Sequence, residues 1–427
     1  MQRKTLDFFI LISLAVLPTM SSAQPSVGGE LQVNTYTTGN QQSAGVGTDA
    51  AGNFVVTWQS DSAPGVDVAA VLAQRFDAEG SPVGGEFQVS FNPNEDNSSP
   101  GLAVADDGAF VVVWAAPGFL PGSKIIVGGQ YGADGGLIST FAPGGFSIDD
   151  SREPSVDLAA DGSAVVVWDA TSTLGNDVDG RSIQGRRHTA NGDPIGDQFQ
   201  INTYTTNDQE NAVVGADAAG NFVVAWESVG ADDADSRSIL AQRFDTNGDA
   251  LGDEFRVSIS TLRDNLDPSI AVRGDGEFVI AWTAPGFVPP STNLLGRRYA
   301  ADGDLLETFQ ASAGTVGSER HPQVSFDTDG SFVVAWDSSF LDETDGDSRS
   351  IQARRFAADG SALGDQFQVN TFTPGDQTRA SVAADDERFV IVWETEGTDG
   401  DGLGIQAQRY AVRVFADGFE TGDLSAW

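Results

Sequence analysis

An apolar phrase that ends in tryptophan recurs seven times along the 427-residue chain. The copies are FVVTW (54–58), FVVVW (110–114), AVVVW (164–168), FVVAW (222–226), FVIAW (278–282), FVVAW (332–336) and FVIVW (389–393). Their spacing of 54 to 58 residues indicates tandem repeats of one structural unit. Because Phe and Trp alternate with Val, each copy predicts a strand that is apolar, and therefore covered, on both faces.

Each repeat contains the pattern of four short strands. In the fourth repeat the strands are predicted at 211–217, 222–226, 238–244 and 253–258, separated by turn and loop residues. The tight turns hold Asp-Gly or Asn-Gly pairs, which are typical of β-hairpins. No stretch has the 3.6-residue apolar period of a core helix. The sequence therefore predicts an all-β, seven-bladed β-propeller of four-stranded antiparallel blades over residues 24–413.

The two ends of this region predict how the ring closes. The last repeat supplies strands at 379–384, 388–394 and 403–411 but lacks the fourth strand of the other repeats. The missing phrase stands near the N-terminus, as GELQVN at 29–34. We expect this N-terminal strand to pair with 403–411 and complete the seventh blade, which leaves no open sheet edge.

A second, longer period is superimposed on the first. Trp58 and Trp226 are 168 residues apart, and so are Asn34 and Asn202, which begin two copies of NTYTT. The blades therefore follow the order A-B-C-A-B-C-A, and two A blades, the seventh and the first, meet at the seam.

The termini and the composition suggest an exported protein. Residues 1–23 have the basic start, apolar middle and small-residue end of a signal peptide, and no membrane span is expected after its cleavage. Residues 414–427 form a separate C-terminal tail. The chain has no cysteine and a net charge of −39, which disfavours nucleic acid and anionic membranes as partners and favours cations or a basic partner.

The long loops fall on one rim of the predicted ring, which makes that rim the candidate functional face. Several of these loops carry Asp-x-Asp pairs, whose oxygen atoms suit Ca²⁺. The pairs are Asp177/Asp179, Asp345/Asp347 and Asp399/Asp401. They lack the complete pattern of a calcium-binding loop, and solvated acidic loops are the alternative interpretation.

Aromatic residues in the same loops are candidate ligand contacts. Phe119 and Phe287 occupy two apolar APGF loops, and Tyr36, Tyr204 and Phe372 lie in the three NTxT loops among amide and hydroxyl side chains. An aromatic ring in such surroundings can serve as a platform for a sugar, although ordered loops use the same residues to pack.

Catalytic patterns are sparse. His188 takes the place of an aromatic residue of the third strand and is predicted to be packed, while His321 precedes Pro322 on the long-loop rim without a recognisable triad. An arginine on the third strand of six repeats is predicted to be structural, paired with acids or with tryptophan.

The phrases FVVxW and AQRFDxxGxxxGxxFQVN resemble tandem repeats of secreted bacterial proteins whose functions are mostly uncharacterised. The resemblance covers about residues 27–413 and implies a secreted repeat propeller without an established reaction. The ending DGFETGDLSAW resembles a C-terminal motif of exported proteins of Gram-negative bacteria.

These observations predict a secreted or cell-surface propeller that binds an extracellular glycan or surface protein through its acidic long-loop rim, as a monomer and with calcium as a possible cofactor. A carbohydrate-active enzyme, a lyase or glycosidase with carboxylates on that rim, is the first alternative. A structural cell-surface component is the second.

Overall fold

A computed structural model describes residues 24–62, 68–91, 96–145, 149–171, 177, 179–231, 236–259, 263–286, 291–312, 317–339 and 349–412. These residues form seven four-stranded antiparallel sheets arranged as a seven-bladed β-propeller, so the predicted fold is confirmed. The predicted signal peptide and C-terminal tail lie outside the described residues. No helix of the length and apolarity that a membrane crossing requires occurs in the described ranges.

The strands are numbered in chain order and grouped by blade. Blades 1 to 3 are formed as follows: blade 1 by β2 (Gln41–Thr48), β3 (Phe54–Ser60), β4 (Ala70–Phe76) and β5 (Phe87–Gln88); blade 2 by β6 (Ser98–Val104), β7 (Phe110–Pro117), β8 (Lys124–Tyr131) and β9 (Leu137–Phe141); blade 3 by β10 (Ser151–Leu158), β11 (Ala164–Ala170), β12 (Ser182–His188) and β13 (Pro194–Gln200).

Blades 4 to 6 follow the same order: blade 4 has β14 (Gln209–Ala216), β15 (Phe222–Val229), β16 (Arg237–Phe244) and β17 (Phe255–Arg256); blade 5 has β18 (Leu266–Val272), β19 (Phe278–Pro285), β20 (Thr292–Tyr299) and β21 (Leu305–Gln310); blade 6 has β22 (Glu319–Phe326), β23 (Phe332–Ser338), β24 (Ser350–Phe356) and β25 (Phe367–Gln368). Blade 7 combines β26 (Gln377–Ala384), β27 (Arg388–Glu396) and β28 (Leu403–Ala411) with the N-terminal β1 (Leu31–Gln32).

The N-terminal strand closes the ring as the sequence predicts. Leu31 pairs with Ala407 and Gln32 with Gln406 across the antiparallel β1–β28 ladder. The pairing continues beyond this ladder, since the N–H of Val33 donates to the carbonyl of Ile405 at 2.9 Å. Closure therefore gives the seventh blade the same four strands as the others.

The first strand of each blade is the innermost one, and these seven strands contact one another around the central channel. The FVVxW strand lies second, and all seven of its tryptophans are buried. Seven apolar clusters each combine residues of two adjacent blades, so the core lies between the blades. This confirms the prediction that the FVVxW strand is covered on both faces.

The third-strand arginines also connect blades, although their predicted partners are mostly wrong. The guanidinium of Arg75 donates to the carbonyl of Ala133 at 2.6 Å, and that of Arg409 donates to the carbonyl of Ala78 at 2.7 Å across the seam. Each acceptor lies in the turn between the third and fourth strands of the following blade. Arg298, which pairs with Glu277, is the described example that follows the predicted pairing with acids.

Candidate functional site at the mouth of the channel

The long-loop rim carries the connections from the second to the third strand of a blade and from one blade to the next. The two described Asp-x-Asp pairs lie there, and their first aspartates hold neighbouring loops together. Asn202 donates to the buried Asp177 at 2.8 Å, and Asn34 donates to Asp399 at 3.1 Å. The second aspartates lie beside them, since the N–H of Asp179 and of Asp401 each donate back to the first aspartate at 3.4 Å.

The structure does not bring these pairs together into one site. Each described pair occupies the loop of its own blade, and the described residues contain no group of three or more Asp, Glu or His side chains placed to hold a metal ion. Asp345 and Asp347 lie outside the described residues. Calcium binding by these loops stays a prediction.

The aromatic residues of the NTxT loops are half-buried between the two long loops of their blades. The hydroxyl of Tyr204 donates to the carbonyl of Gly230 at 2.9 Å, and the hydroxyl of Tyr36 lies 3.4 Å from the Ser62 hydroxyl. Phe372 is half-buried at the equivalent position. These contacts order the loops, and they leave only part of each ring accessible to a ligand.

Phe119 differs from these residues because 65% of its surface is exposed. It stands at the outer end of the blade 2 loop beside the exposed Leu120. Phe287, the matching residue of blade 5, lies outside the described residues. Phe119 is therefore the most accessible of the described candidate aromatics.

The feature that the sequence analysis missed is a β-bulge near the start of every innermost strand. In each bulge one non-glycine residue adopts the left-handed conformation, with φ between 46° and 55°. We call these seven residues the channel ring: Ser43, Ser99, Glu153, Asn211, Asp267, His321 and Arg379. Because bulges re-aim side chains and the innermost strands border the channel, the ring lies at the channel mouth on the long-loop rim.

In four blades the residue that follows the tryptophan supports the channel-ring residue of the next blade. Glu394 of blade 7 accepts a hydrogen bond from the N–H of Ser43 at 2.6 Å, and Glu227 of blade 4 accepts one from the N–H of Asp267 at 2.9 Å. The same contact to the following blade joins blades 1 and 2 and blades 6 and 7. A side chain of one blade thus accepts a hydrogen bond from the backbone N–H that the bulge leaves unpaired in the ladder of the next blade.

Burial affects the protonation of the carboxyl groups that follow the blade tryptophans. It raises the pKa of Asp169, of Glu227 and of Glu394 above their ordinary values, because the charged form loses its hydration. Arginines at the start of the third strand oppose the effect, since Arg237 bonds to Glu227 at 2.7 Å and Arg181 is paired with Asp169.

Blade 6 places a histidine and an aspartate in direct contact at the channel mouth. Nδ1 of His321 lies 2.7 Å from Oδ1 of Asp337, and Nε of Arg349 donates to the other carboxylate oxygen at 2.8 Å. Asp337 is fully buried, whereas 36% of the His321 side chain is exposed. Since a carboxylate only accepts, Nδ1 carries the proton and Nε2 is left for the channel side.

Asp337 also sets the charge of this histidine. Burial alone would lower the pKa of His321, but the hydrogen bond to Asp337 and the charge of that carboxylate outweigh it and raise the pKa. The other histidine behaves as predicted: His188 is buried and packs against Phe141 with ring centroids 4.4 Å apart.

The opposite rim holds a cavity of about 570 Å³, which is lined by turn residues of blades 2 to 5. Two of its carboxylates hold the framework of this rim, one between two blades and one within a turn. Asp157 accepts from the N–H of Ala216 at 2.8 Å, and Asp217 accepts from the N–H of Asn221 at 2.9 Å. Burial raises the pKa of Asp157 to about 6. These roles leave the channel ring as the better candidate site.

Comparison with known proteins finds no matching family model and no matching curated protein. Solved structures do match. A protein of unknown function from Dyadobacter fermentans is similar with a TM-score of 0.57 and 10% identity, over 92% of this chain and 100% of that one. The phage phi92 endosialidase is similar with a TM-score of 0.53 and 9% identity, over 92% of this chain and 70% of that one. An ulvan lyase, which is a polysaccharide lyase, is similar with a TM-score of 0.52 and 11% identity, over 94% of this chain and 98% of that one. At such identities the likeness shows the propeller fold alone.

Proposed function

We propose that this protein is an extracellular binding propeller that recognises a glycan through the channel ring on its long-loop rim. The observation that supports the proposal is that the seven ring positions share one backbone conformation but carry side chains of different chemical types. All seven ring positions share the same bulge and the same left-handed conformation, which costs a non-glycine residue about 1–2 kcal/mol. Glycine would avoid this cost, yet no ring position holds it.

The chemistry of the ring suits a ligand rich in hydroxyl groups. Ser43, Ser99 and Asn211 can both donate and accept hydrogen bonds, and the charged members of the ring add further acceptors and donors. A few convergent polar groups in a concavity are typical of ligand sites. The channel mouth supplies the concavity, and the exposed Phe119 supplies an apolar contact farther out on the same rim.

The test begins with the mature full chain on a glycan array, followed by calorimetry with the glycan that binds best. We expect Asn211→Ala and Ser99→Ala to weaken binding about tenfold each, since each removes one hydrogen-bonding side chain worth about 1.4 kcal/mol. Glu79→Ala, at a side chain 72% exposed on the opposite rim, is the matched control and should change the affinity less than twofold. Equal losses in all three variants, or no glycan bound at all, would contradict the proposal.

The same measurement tests the predicted calcium sites. It is repeated in millimolar CaCl₂ and in MgCl₂ at equal ionic strength. If calcium contributes to binding, only CaCl₂ should raise the affinity, and Asp399→Asn should remove the difference.

The contact between His321 and Asp337 favours a second candidate function, a carbohydrate-active enzyme. A histidine whose proton is fixed on Nδ1 by a buried carboxylate has the arrangement of a general base. New reducing ends released from a bound glycan, and lost in His321→Gln, would support this function. Intact glycan after prolonged incubation would contradict it.

A further inference from the structure

Two arginines at the channel mouth differ from the other arginines of the described chain. Arg320 and Arg379 are exposed, and within the described residues neither guanidinium donates a hydrogen bond or forms an ion pair. Elsewhere the described arginines bond to carboxylates, carbonyls or hydroxyls, as Arg152 does to Asp150 at 2.7 Å. In a chain with 62 acidic and 23 basic residues, two exposed guanidinium groups without a hydrogen bond to a described residue, on adjacent blades, are unexpected.

The three-blade period explains why Arg320 has no partner among the described residues. Arg320 is equivalent to Arg152, 168 residues earlier, and Ser318 takes the place of Asp150. In blade 3 the Asp150 carboxylate binds both Arg152 and Arg181. In blade 6 the exchange to serine removes that carboxylate, and no described acid takes its place beside Arg320.

His321 and Arg379 lie beside this position and share one carboxylate oxygen. Oδ1 of Asp337 accepts from Nδ1 of His321 at 2.7 Å and from the backbone N–H of Arg379 at 3.4 Å. The Asp337 carboxylate accepts hydrogen bonds from His321, from the Arg379 backbone and from Arg349, and none from the Arg379 guanidinium among the described residues. Two further acids lie close by: the charge of Glu394 interacts with that of Arg379, and the charge of Asp267 acts on His321, but neither carboxylate accepts a hydrogen bond from Arg379 within the described chain.

From this arrangement we infer that Arg320, His321 and Arg379 form an anion subsite, which binds a carboxylate group of an acidic sugar. The inference rests on the proposed glycan-binding function and specifies its ligand class. Guanidinium groups match carboxylates in geometry as well as in charge. The subsite should bind anions more tightly at low pH, when His321 is protonated.

The charged groups around His321 determine this pH dependence. Asp337, Arg349 and Arg320 belong to its own blade, Asp267 to blade 5, and Arg379 and Glu394 to blade 7. Protonation of His321 adds a positive charge next to Arg379. An anion that binds both residues should therefore raise the pKa of His321 further.

The chain offers a direct readout because it has only two histidines, of which His188 is buried. The His321 ring signal is followed by NMR from pH 5.5 to 8.5 in D-glucuronate, with D-glucose plus NaCl at equal ionic strength as the control. We expect glucuronate to shift the His321 signal and raise its pKa, and to bind about tenfold more tightly at pH 5.5 than at pH 8.5. Glucose with NaCl should do neither.

Four variants identify the residues. Arg379→Gln should weaken glucuronate binding about tenfold, and His321→Gln should remove the pH dependence. Ser318→Asp should restore the blade 3 pairing to Arg320 and also weaken binding, while Arg152→Gln, at the equivalent but paired position, should leave it unchanged. Melting curves verify that each variant folds.

Equal responses to glucuronate and to glucose with NaCl, or equal losses in Arg379→Gln and Arg152→Gln, would overturn the inference. Failure here is distinguishable from failure of the proposed function. A neutral glycan that binds through Ser99 and Asn211, together with no preference for glucuronate, contradicts the anion subsite alone.

Discussion

Blades 3 and 6 occupy equivalent places in the three-blade period, and they contribute side chains of opposite charge type to the channel mouth on the same framework. Both keep a buried aspartate after the tryptophan, Asp169 or Asp337, and both pair it with an arginine at the start of the third strand. The ring residue changes from Glu153 to His321. The repeat therefore preserves the framework while the bulged position varies.

The exchange has a consequence for the aspartate. Glu153 cannot donate to Asp169, whose Oδ1 is buried without a partner among the described residues, and the Glu153 charge adds to the burial that raises the Asp169 pKa. His321 donates to the equivalent oxygen of Asp337. The comparison shows that the side chain at the bulge determines two properties of each blade at the channel mouth. With Glu153 the blade is acidic and one oxygen of its buried aspartate has no described partner, whereas with His321 the blade carries a cationic group and that oxygen accepts a hydrogen bond.

The largest expected effect comes from removing the buried aspartate that follows the tryptophan. Asp337→Ala should lower the free energy of unfolding by about 3–5 kcal/mol, because it leaves the largely buried Arg349 without its carboxylate. Asp169→Ala should cost less, since one of its oxygens is already unpartnered. Urea denaturation measures both, with the exposed Asp197→Ala as the control. Equal costs at 169 and 337 would show that His321 adds nothing to the framework.

A smaller effect tests the backbone strain that the left-handed conformation imposes on the channel-ring residues. Glu153→Gly should raise the free energy of unfolding by about 0.5–1 kcal/mol, because glycine adopts φ of 46° without a steric penalty. Asn211→Gly should gain less, since asparagine tolerates this conformation better than glutamate. Thermal unfolding measures both changes, and a destabilised Glu153→Gly would mean that the ring backbone is not strained.

The smallest effect is the pH dependence of stability that the charge of His321 causes. The folded-state pKa of His321 is raised, so its contribution to stability is fully present below the unfolded value of about 6.5 and is lost as the pH rises through the folded value. His321→Gln should therefore lower the melting temperature more at pH 5.5 than at pH 8.5. Ser43→Ala, at an uncharged position of the channel ring, should show no such dependence, and a parallel dependence in both variants would contradict the assignment.

The fold could be predicted because its signals are local and repeated. The FVVxW phrase and the Asp-Gly and Asn-Gly turns mark the strands in every blade, and the displaced GELQVN phrase marks the closure. The loop asparagines Asn34 and Asn202 recur in the sequence, but recurrence alone does not show that they bind the aspartates of the preceding blade.

The channel ring could not be predicted in the same way, because its seven residues share a backbone conformation and no side-chain type. The bulges break the two-residue alternation of a strand without requiring glycine. One signal was present: proline follows the ring residue in four blades, at Pro100, Pro154, Pro268 and Pro322. Proline lacks an N–H and is tolerated at bulges, so its position inside an innermost strand marks the irregularity.

Closure by the N-terminal strand has a consequence for the order of folding. Ile405 donates to Asn34, a partner 371 residues earlier in the chain. During synthesis the N-terminal strand therefore waits unpaired until nearly the whole ring has been made, whereas each inner blade can assemble from consecutive segments. A nascent chain that stops before residue 403 lacks the docking partner of its own first strand, so the ring can close only after translation has passed β28.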